Sequence, residues 1–258
     1  ILQLLKRLKL VMIGAARRMV EALGYNIYPA FDYSSPSPTE SRLRKNVDRW
    51  NKPSSMAGVK YDLEMFKKML KHLVEKYFDD FRKLPDYNKN KSVGFGPGYT
   101  ELDALLLYMM IRELKPKRYL EVGSGLSTYY CSLAAKENFN SGCPVKIKCI
   151  EPYPFDRLSS IQGIVMIKDE VQNAKIELFS ELEENDVLFI DSSHILKIDG
   201  DTPFIYLEVL PILKKGVIIH IHDMPFPYNI PYPPELWILG KKGASPYWPV
   251  YWNEAMIL

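Results

Sequence analysis

Four side chains that can take up or hold a proton follow two apolar runs in the last third of the chain. Asp191 and His194 come after one run, and His222 and Asp223 come after the other. Histidine titrates near neutral pH and most often serves as the general base, and a carboxylate beside it can orient the ring. These four residues are therefore candidate catalytic groups that could remove a proton from a hydroxyl or amine.

Position along the predicted strand distinguishes the roles of His220 and His222. His220 and His222 would share one face of a strand, and His222 lies nearer the carboxyl end. We predict that His222 faces the site and that His220 is a hydrogen-bonded core residue. His194 either orients its loop or acts on substrate, and His72, far upstream, is predicted to be solvated.

Asp191 and Asp223 also suggest a metal site. Mg²⁺ prefers oxygen ligands and keeps several waters, so two carboxylates at neighbouring strand ends could bind it. Asp223 is flanked by His222 and Met224 instead of another oxygen ligand, which weakens this interpretation. Without a metal, the residues would form a histidine–carboxylate base pair, or Asp191 would only position substrate.

A glycine turn lies upstream of these residues. Apolar residues 119–122 predict a short buried strand, residues 123–125 (Gly-Ser-Gly) a tight turn, and residue 126 the start of a helix. Such a turn offers backbone N–H groups to a ligand, and glycine permits its close approach. The dinucleotide fingerprint would place a third glycine where this chain has Thr128. Glu121, just before the turn, is placed to meet a cationic ligand.

Four further strands are predicted, and each has an acidic residue at or near its end. The ranges are 145–150, 163–168, 186–190 and 216–221, with Glu151, Asp169, Asp191 and Asp223 at or near their ends. Their alternation with helices predicts an α/β fold with a doubly wound, mostly parallel sheet and helices on both faces. Ligands of such sheets bind beyond the carboxyl ends of the strands, so the acids should meet at one edge.

Glu151 favours an adenosine ligand. A carboxylate at the end of the second strand can accept hydrogen bonds from both ribose hydroxyls, as in NAD enzymes and S-adenosylmethionine enzymes. The alternative is a solvated glutamate that caps the following helix.

Four motifs, in this order, resemble the class I S-adenosylmethionine-dependent methyltransferases, and most closely their methyltransferase-24-like small-molecule branch. The motifs are Glu121–Thr128, Ile150–Pro154, Leu188–His194 and Val217–Asp223. The resemblance covers roughly residues 95–258. It is specific for fold and cofactor, but it does not identify the acceptor.

The resemblance implies a cofactor site for S-adenosylmethionine. Residues 121–125 would hold its methionine part, Glu151 its ribose, and Asp191 would sit beside the sulfonium, while Tyr153 and the segment 169–172 could flank the adenine. The implied cofactor-binding residues are Glu121, Gly123, Ser124, Gly125, Ser127, Thr128, Glu151, Pro152, Tyr153, Gln172 and Asp191. Asp201 aligns with the family, although the turn before it departs from the usual pattern, and residues 95–99 could form a lid.

The implied activity is O-methylation of a small molecule such as a sugar or a secondary metabolite. A nicotinamide-dependent oxidoreductase is one rival, disfavoured by the missing third glycine. A non-catalytic adenosyl-ligand-binding or scaffold protein is the other, disfavoured by the intact Glu121, Glu151 and Asp191.

Composition narrows the class of protein. The net charge of +3 over 258 residues is too small to favour nucleic acid. No apolar run approaches the roughly 20 residues of a membrane span. Three cysteines without metal spacing predict reduced thiols, and hence a cytoplasmic protein.

The first hundred residues predict helices. Residues 1–23 read as a basic amphipathic helix that docks or forms a homo-oligomer contact, with weak membrane-surface contact as the alternative. A turn-rich linker over 32–40 and a helix over 62–84 follow, and 88–98 reads as a loop. We predict two domains: an N-terminal helical extension and lid over 1–99, and an S-adenosylmethionine-binding domain over 100–258.

The last part of the chain carries two further expectations. A proline-rich loop after Asp223 should place four aromatic residues over the sheet edge as a wall for a small-molecule acceptor. They are Phe226, Tyr228, Tyr232 and Trp237. The resemblance implies two more strands, but only residues 247–252 predict one, so the sequence, which begins at Ile1, looks like an excerpt of a longer product.

Overall fold

The computed structural model describes residues 2–25, 39–58, 62–91, 94–95, 98–224 and 227–228. Within these residues, one compact unit comprises the chain up to Lys52 together with Tyr228, and the other runs from Pro53 to Pro227. The domain boundary predicted between residues 99 and 100 stays a prediction. The predicted strand over 247–252 lies outside the described residues, as do most of the linker and three of the four aromatic residues after Asp223.

The first unit is helical in its described residues. It contains α1 (Leu2–Glu21), α2 (Glu40–Lys45) and α3 (Val47–Trp50). The long first helix agrees with the helix predicted over 1–23. Val11 and Met12 on α1 are each more than 60% exposed, so within this unit the helix shows an apolar surface. Its docking, oligomer or membrane contact stays a prediction.

The second unit is built on five parallel strands. They are β1 (Arg118–Val122), β2 (Lys146–Ile150), β3 (Ile164–Ile167), β4 (Val187–Ile190) and β5 (Ile218–Ile221). The spatial order is β3-β2-β1-β4-β5, and every neighbouring pair is parallel. The chain thus reverses its direction of winding between β1 and β4, which is where sheets of this kind form ligand crevices. The predicted doubly wound α/β fold is confirmed.

Helices of the second unit connect and cover these strands. They are α4 (Leu63–Arg82), α5 (Tyr87–Lys91), α6 (Glu101–Leu114), α7 (Leu126–Asn140), α8 (Glu177–Ser180) and α9 (Asp201–Phe204). The prediction of a loop over 88–98 was wrong for its first residues, because residues 87–91 form α5. Asp86 supplies the reason, since its carboxylate accepts a hydrogen bond from the Lys89 amide and caps that turn.

Alternation along the strands builds one apolar core on each face of the sheet. Tyr119 and Phe189 pack with residues of α4, α6 and α7. Leu120 and Ile190 point to the opposite face and pack with Phe179 of α8 and with the segment after α9. Helices therefore cover both faces, and both cores leave the carboxyl edge of the sheet to polar residues.

The helix α4 is fixed to α6 by one acidic side chain. Glu113 accepts hydrogen bonds from the Tyr77 hydroxyl at 2.6 Å and from the Lys76 ammonium at 2.7 Å. His72, predicted to be solvated, is half-exposed, and its Nε2 also lies 3.0 Å from Glu113. These contacts hold α4 across α6, whose first turn reaches the site described below.

Within the described ranges, no helix is both long enough and apolar enough to cross a bilayer. All three cysteines are unpaired thiols, as predicted, and Cys131 and Cys149 are buried in the core. The cytoplasmic location stays a prediction.

The start of β1 is anchored by the buried side chain of Asp186. Its carboxylate accepts hydrogen bonds from the Arg118 amide, the Arg118 guanidinium and the Glu183 amide, at 2.8 to 2.9 Å. We expect Asp186→Ala to lower the free energy of unfolding by about 2 kcal/mol, because two partly buried amides and the Arg118 guanidinium lose their acceptor. Urea unfolding followed by circular dichroism measures this. Glu183→Ala, which removes only the exposed partner of Arg118, should cost about 0 to 1 kcal/mol, and an equal loss in both variants would contradict the assignment.

Candidate active site

An open cavity of about 360 Å³ lies at the carboxyl edge of the sheet, around the ends of β1, β2 and β4. Its size is in the range of small-molecule sites. Six residues predicted to bind a cofactor line it: Gly123, Glu151, Pro152, Tyr153, Gln172 and Asp191. The cavity therefore lies at the switch point, where the sequence pattern placed the ligand.

Gly123 brings the ends of β1 and β4 together. Its φ is +105°, and a Cβ atom there would lie 2.3 Å from the carbonyl oxygen of Asp191. The Asp191 amide donates to the Val122 carbonyl at 2.9 Å, which continues the strand pairing up to this point. Only glycine fits both the left-handed conformation and the close approach.

Glu121 lies beneath the turn and does not line the cavity. Its carboxylate is fully buried and accepts hydrogen bonds from Ser127 at 2.5 Å and Thr128 at 2.9 Å. The Thr128 hydroxyl also accepts the Gly125 amide at 3.1 Å, so these residues fix the shape of the turn. A direct contact of Glu121, Ser127 and Thr128 with a cofactor stays a prediction.

Burial also controls the charge of Glu121. Loss of solvent raises its pKa to about 8, against the lowering effect of the Ser127 and Thr128 hydrogen bonds. A cationic ligand group near the turn would favour the ionised carboxylate.

The other end of the cavity is formed by the loop after β2. Glu151 accepts the Tyr153 amide at 2.8 Å, which holds its carboxylate at the cavity wall. Gln172 donates to the Asp199 carbonyl at 2.9 Å and links the turn after β3 to the loop after β4. A carboxylate held here can accept hydrogen bonds from a diol, while the alternative of a solvated glutamate that caps the following helix stays a prediction.

Several residues that line the cavity were not predicted from the sequence. They are Ser192, Ser193, Lys197 and Asp199. All four lie in the loop that follows β4, so their place in the chain was the signal that could have found them. The hydroxyl groups of Ser124 and Ser192 are buried without a protein hydrogen-bond partner, which is a feature that a polar ligand at this edge would satisfy.

The other three predicted catalytic residues lie beside Asp191, next to the cavity. The Asp191 Oδ1 atom lies 3.4 Å from His194 Nε2 and 3.3 Å from His222 Nδ1. Asp223 lies 3.9 Å from His194 and 3.5 Å from His222. The structure thus brings together groups that are up to 32 residues apart in the chain.

Asp103, in the first turn of α6, is a fifth member that sequence reasoning missed. Its Oδ2 lies 3.6 Å from Nε2 of His222, so the imidazole stands between Asp103 and Asp191. Nothing in the chain near Asp103 pointed to a histidine 119 residues away.

These contacts separate the pKa values of the two strand-five histidines. Burial alone would lower the pKa of His222, but Asp103 and Asp191 outweigh it and raise the pKa to about 10. Burial lowers the pKa of His220 to about 4. Among the described residues, the His220 ring contacts Phe189, with ring centroids 4.6 Å apart, instead of making the predicted hydrogen bond.

The carboxylates of the cluster differ in the same way. Burial opposes ionisation of Asp191, yet its contacts with His194 and His222 hold its pKa well below the usual range. Burial raises the pKa of Asp223, and the charge of Asp191 adds to this against the opposing charge of His222. At neutral pH His222 is therefore an imidazolium, and Asp223 is the carboxylate best suited to accept a proton.

Backbone strain also concentrates here. His194 and Asp223 have φ values of 59° and 60°, and Asp199 at the cavity rim has 59°. Left-handed conformations are costly for residues other than glycine and cluster at functional sites. His194 lies 3.4 Å from Asp191 at the end of β4 and 3.9 Å from Asp223.

The predicted magnesium site does not fit the cluster. The possible ligand atoms of Asp191, His194 and Asp223 lie within 4.8 Å of one another. Mg²⁺ prefers oxygen ligands, whereas here two imidazoles already occupy the space beside the carboxylates. No step of the chemistry proposed below is routed through a metal.

The predicted lid lies partly within the described residues. Phe95 is buried, and its ring stacks on Tyr129 of α7 with centroids 4.8 Å apart. Its carbonyl oxygen lies 2.8 Å from the position of a Cβ atom on Gly125. Residues 96 and 97 are outside the described part of the chain, and closure stays a prediction.

Comparison with known proteins identifies the central segment. Residues 120–224 match a family model described as a methyltransferase domain. An uncharacterised protein of Archaeoglobus fulgidus is 28% identical over 201 residues, which cover 70% of this chain and 85% of the relative. The family match confirms the sequence resemblance to class I methyltransferases over this segment.

Two similar solved structures are methyltransferases with bound S-adenosylhomocysteine. Podospora anserina PaMTH1 has a TM-score of 0.36 and 18% identity, and the match covers 64% of this chain and 71% of that one. A putative protein-L-isoaspartate O-methyltransferase of Plasmodium falciparum has a TM-score of 0.32 and 14% identity, with coverage of 71% and 84%.

The close approach at Gly123 yields a stability prediction. We expect Gly123→Ala to lower the melting temperature by several degrees more than Gly142→Ala, measured by differential scanning fluorimetry. Both glycines have positive φ, but a Cβ atom on Gly142 would meet nothing within 4 Å. The matched variant therefore isolates the clash with Asp191 from the cost of the left-handed backbone. Equal shifts would mean that the strand ends can separate without loss.

The charge on His222 yields a prediction about pH. Its pKa is raised from 6.5 to about 10 in the folded chain, so its contribution to stability is full below pH 6.5 and is lost as the pH rises through 10. The melting-temperature advantage of the wild type over His222→Gln should therefore shrink between pH 6.5 and pH 10. His72→Gln, which changes a half-exposed histidine far from the cluster, controls for the loss of a ring. An advantage that does not change with pH would contradict the prediction.

Proposed function

We propose that this chain is an S-adenosylmethionine-dependent methyltransferase that methylates an oxygen of a small-molecule acceptor. The observation that carries the proposal is the cavity at the switch point, with Glu151 at one end and the Asp191 cluster at the other. The methyltransferase-domain match over residues 120–224 supports it.

The residues around the cavity fit the cofactor. Glu151 would accept the ribose hydroxyls, and Tyr153 and Gln172 would lie beside the adenine. Ser192 would find a partner for its buried hydroxyl, and Asp191 would stand nearest the sulfonium. When bound, S-adenosylmethionine supplies an activated methyl group, so the protein mainly provides position and electrostatics.

The chain's own residues would manage the acceptor proton. Asp223 is partly exposed and lies 3.5 Å from His222. Its backbone has a positive φ, and its pKa is raised. We assign it as the group that takes the proton from the acceptor hydroxyl. His222 stays protonated between two carboxylates and orients Asp191, while His194 spans Asp191 and Asp223.

The polarity of the cluster favours an acceptor with hydroxyl groups. Three carboxylates and two imidazoles form one cluster, whose member Asp191 lines the cavity. Such a set can hydrogen-bond to a polyol, and it repels an anion. A sugar or a hydroxylated secondary metabolite is the proposed substrate class.

One observation favours the non-catalytic rival. Both ring nitrogens of His222 face carboxylates, so the residue expected to be the base is not directed at an acceptor. An adenosyl-binding protein without turnover would have the same cavity. The nicotinamide-dependent rival is disfavoured, because the third glycine position carries Thr128, whose hydroxyl bonds Gly125 and Glu121.

Calorimetric titration tests the proposal. We expect micromolar binding of S-adenosylmethionine and S-adenosylhomocysteine, weakened at least about tenfold in Glu151→Ala, because the loss of a bidentate hydrogen-bond acceptor costs more than about 1.4 kcal/mol. Glu177→Ala, an exposed glutamate at the start of α8, is the matched control and should bind as the wild type does. Parallel titrations use NAD, and use S-adenosylmethionine with Mg²⁺ or with a chelator.

Three outcomes separate the alternatives. Binding of NAD alone would overturn the proposal in favour of an oxidoreductase. Adenosyl binding without methyl transfer to any member of a hydroxylated acceptor panel would favour the scaffold. A requirement for Mg²⁺ would restore the metal site that the donor set disfavours. A homo-oligomer and the absence of a nucleic-acid partner stay predictions.

A further inference from the structure

The first turn of α6 holds a carboxylate in a fixed position. Asp103 Oδ2 accepts hydrogen bonds from the Thr100 hydroxyl at 2.6 Å and from the Thr100 amide at 2.9 Å. The Asp103 amide in turn donates to the Thr100 hydroxyl at 3.2 Å. This capping box ties the carboxylate to the helix backbone, so Asp103 has little freedom to turn away.

The same oxygen faces the imidazole of His222. Asp103 Oδ2 and His222 Nε2 are 3.6 Å apart, and the ring is only 8% exposed. The ring of Tyr99 packs against it with centroids 5.0 Å apart. On the other side, Nδ1 of His222 lies 3.3 Å from Oδ1 of Asp191. One ring therefore connects the start of α6 to the carboxylate at the wall of the cavity.

We infer that Asp103 is a positioning residue for methyl transfer, which fixes the His222 ring so that its Nδ1 edge holds the Asp191 carboxylate at the cofactor cavity. The inference rests on the proposed function for its catalytic meaning. It does not depend on that function for the contact itself.

The other charged groups near His222 do not replace Asp103. The titratable groups that face the ring are Asp103, Asp191, Asp223, His194, His220 and Tyr99. Asp191 and Asp223 both lie at the Nδ1 edge, whereas among the described residues only Asp103 pairs with Nε2. Without it, the imidazole could rotate about its χ2 bond and release Asp191.

The Asp103 contact also links two parts of the site that are distant in the chain. Tyr99 and Asp103 precede β1, while His222 follows β5. The Tyr99 hydroxyl donates to the Asp103 carbonyl at 3.3 Å, so the segment before α6 is held by the same turn. A substitution at Asp103 should therefore act on the cavity through His222, without touching a ligand there.

Nitrogen NMR of the histidine rings tests the inference. We expect His222, identified by its absence in His222→Gln, to show a titration midpoint lowered by about one pH unit or more in Asp103→Asn, since the neutral amide no longer favours the charged ring. Thr100→Ala removes the cap hydroxyl but keeps the Asp103 carboxylate and its hydrogen bond from the residue-100 amide, so its midpoint should fall by much less than in Asp103→Asn. Affinity for S-adenosylhomocysteine should fall in Asp103→Asn more than in Thr100→Ala.

An unchanged midpoint in Asp103→Asn, or an equal fall in Thr100→Ala, would overturn the inference. If Asp103→Asn does not fold, the double variant with His222→Gln decides: recovered folding supports the pair, and continued unfolding rejects it. If the wild type binds no adenosyl compound, the proposed function fails, while the ring titration still reports on the contact between Asp103 and His222.

Discussion

The contact between the backbone at Gly123 and the carbonyl of Asp191 is the constraint on which the site depends. At this point β1 and β4 are paired up to their last residues, and there is no room for a Cβ atom. The loops that follow must then diverge, one toward α7 and the other over the sheet edge. Their divergence opens the cavity, so close packing below the edge produces the space above it.

Two acids on either side of this contact have pKa values shifted in opposite directions because their neighbours differ. Glu121 is surrounded by hydroxyl and thiol groups, and burial raises its pKa to about 8. Asp191 has two imidazoles beside it, which hold its pKa far below that of an ordinary carboxyl. A site that separates the pKa values of similar groups can assign them different roles, as in enzymes that use paired carboxylates.

Two histidines at the end of β5 also have pKa values shifted in opposite directions. His220 and His222 point to the same side, yet one packs on the Phe189 ring and stays neutral, while the other stands between carboxylates and stays charged. The difference in charge is set by carboxylates on other elements, namely Asp103 of α6 and Asp191 after β4. The charge of the site is therefore decided by packing across the fold, and not by the strand that carries the histidines.

The sequence by itself determined where the strands lie in the chain, that they run parallel, and at which edge of the sheet the acids gather. Short apolar runs that alternate with helices have few other solutions, because buried parallel strands need helices on both faces. Tertiary structure alone decided which side chains reach the cavity. Glu121 turned beneath the glycine loop, because the hydroxyls of Ser127 and Thr128 satisfy it there. Asp103 entered the cluster because the first turn of α6 lies beside His222, which follows β5, and periodicity, which records only neighbours along one element, carries no information about that contact.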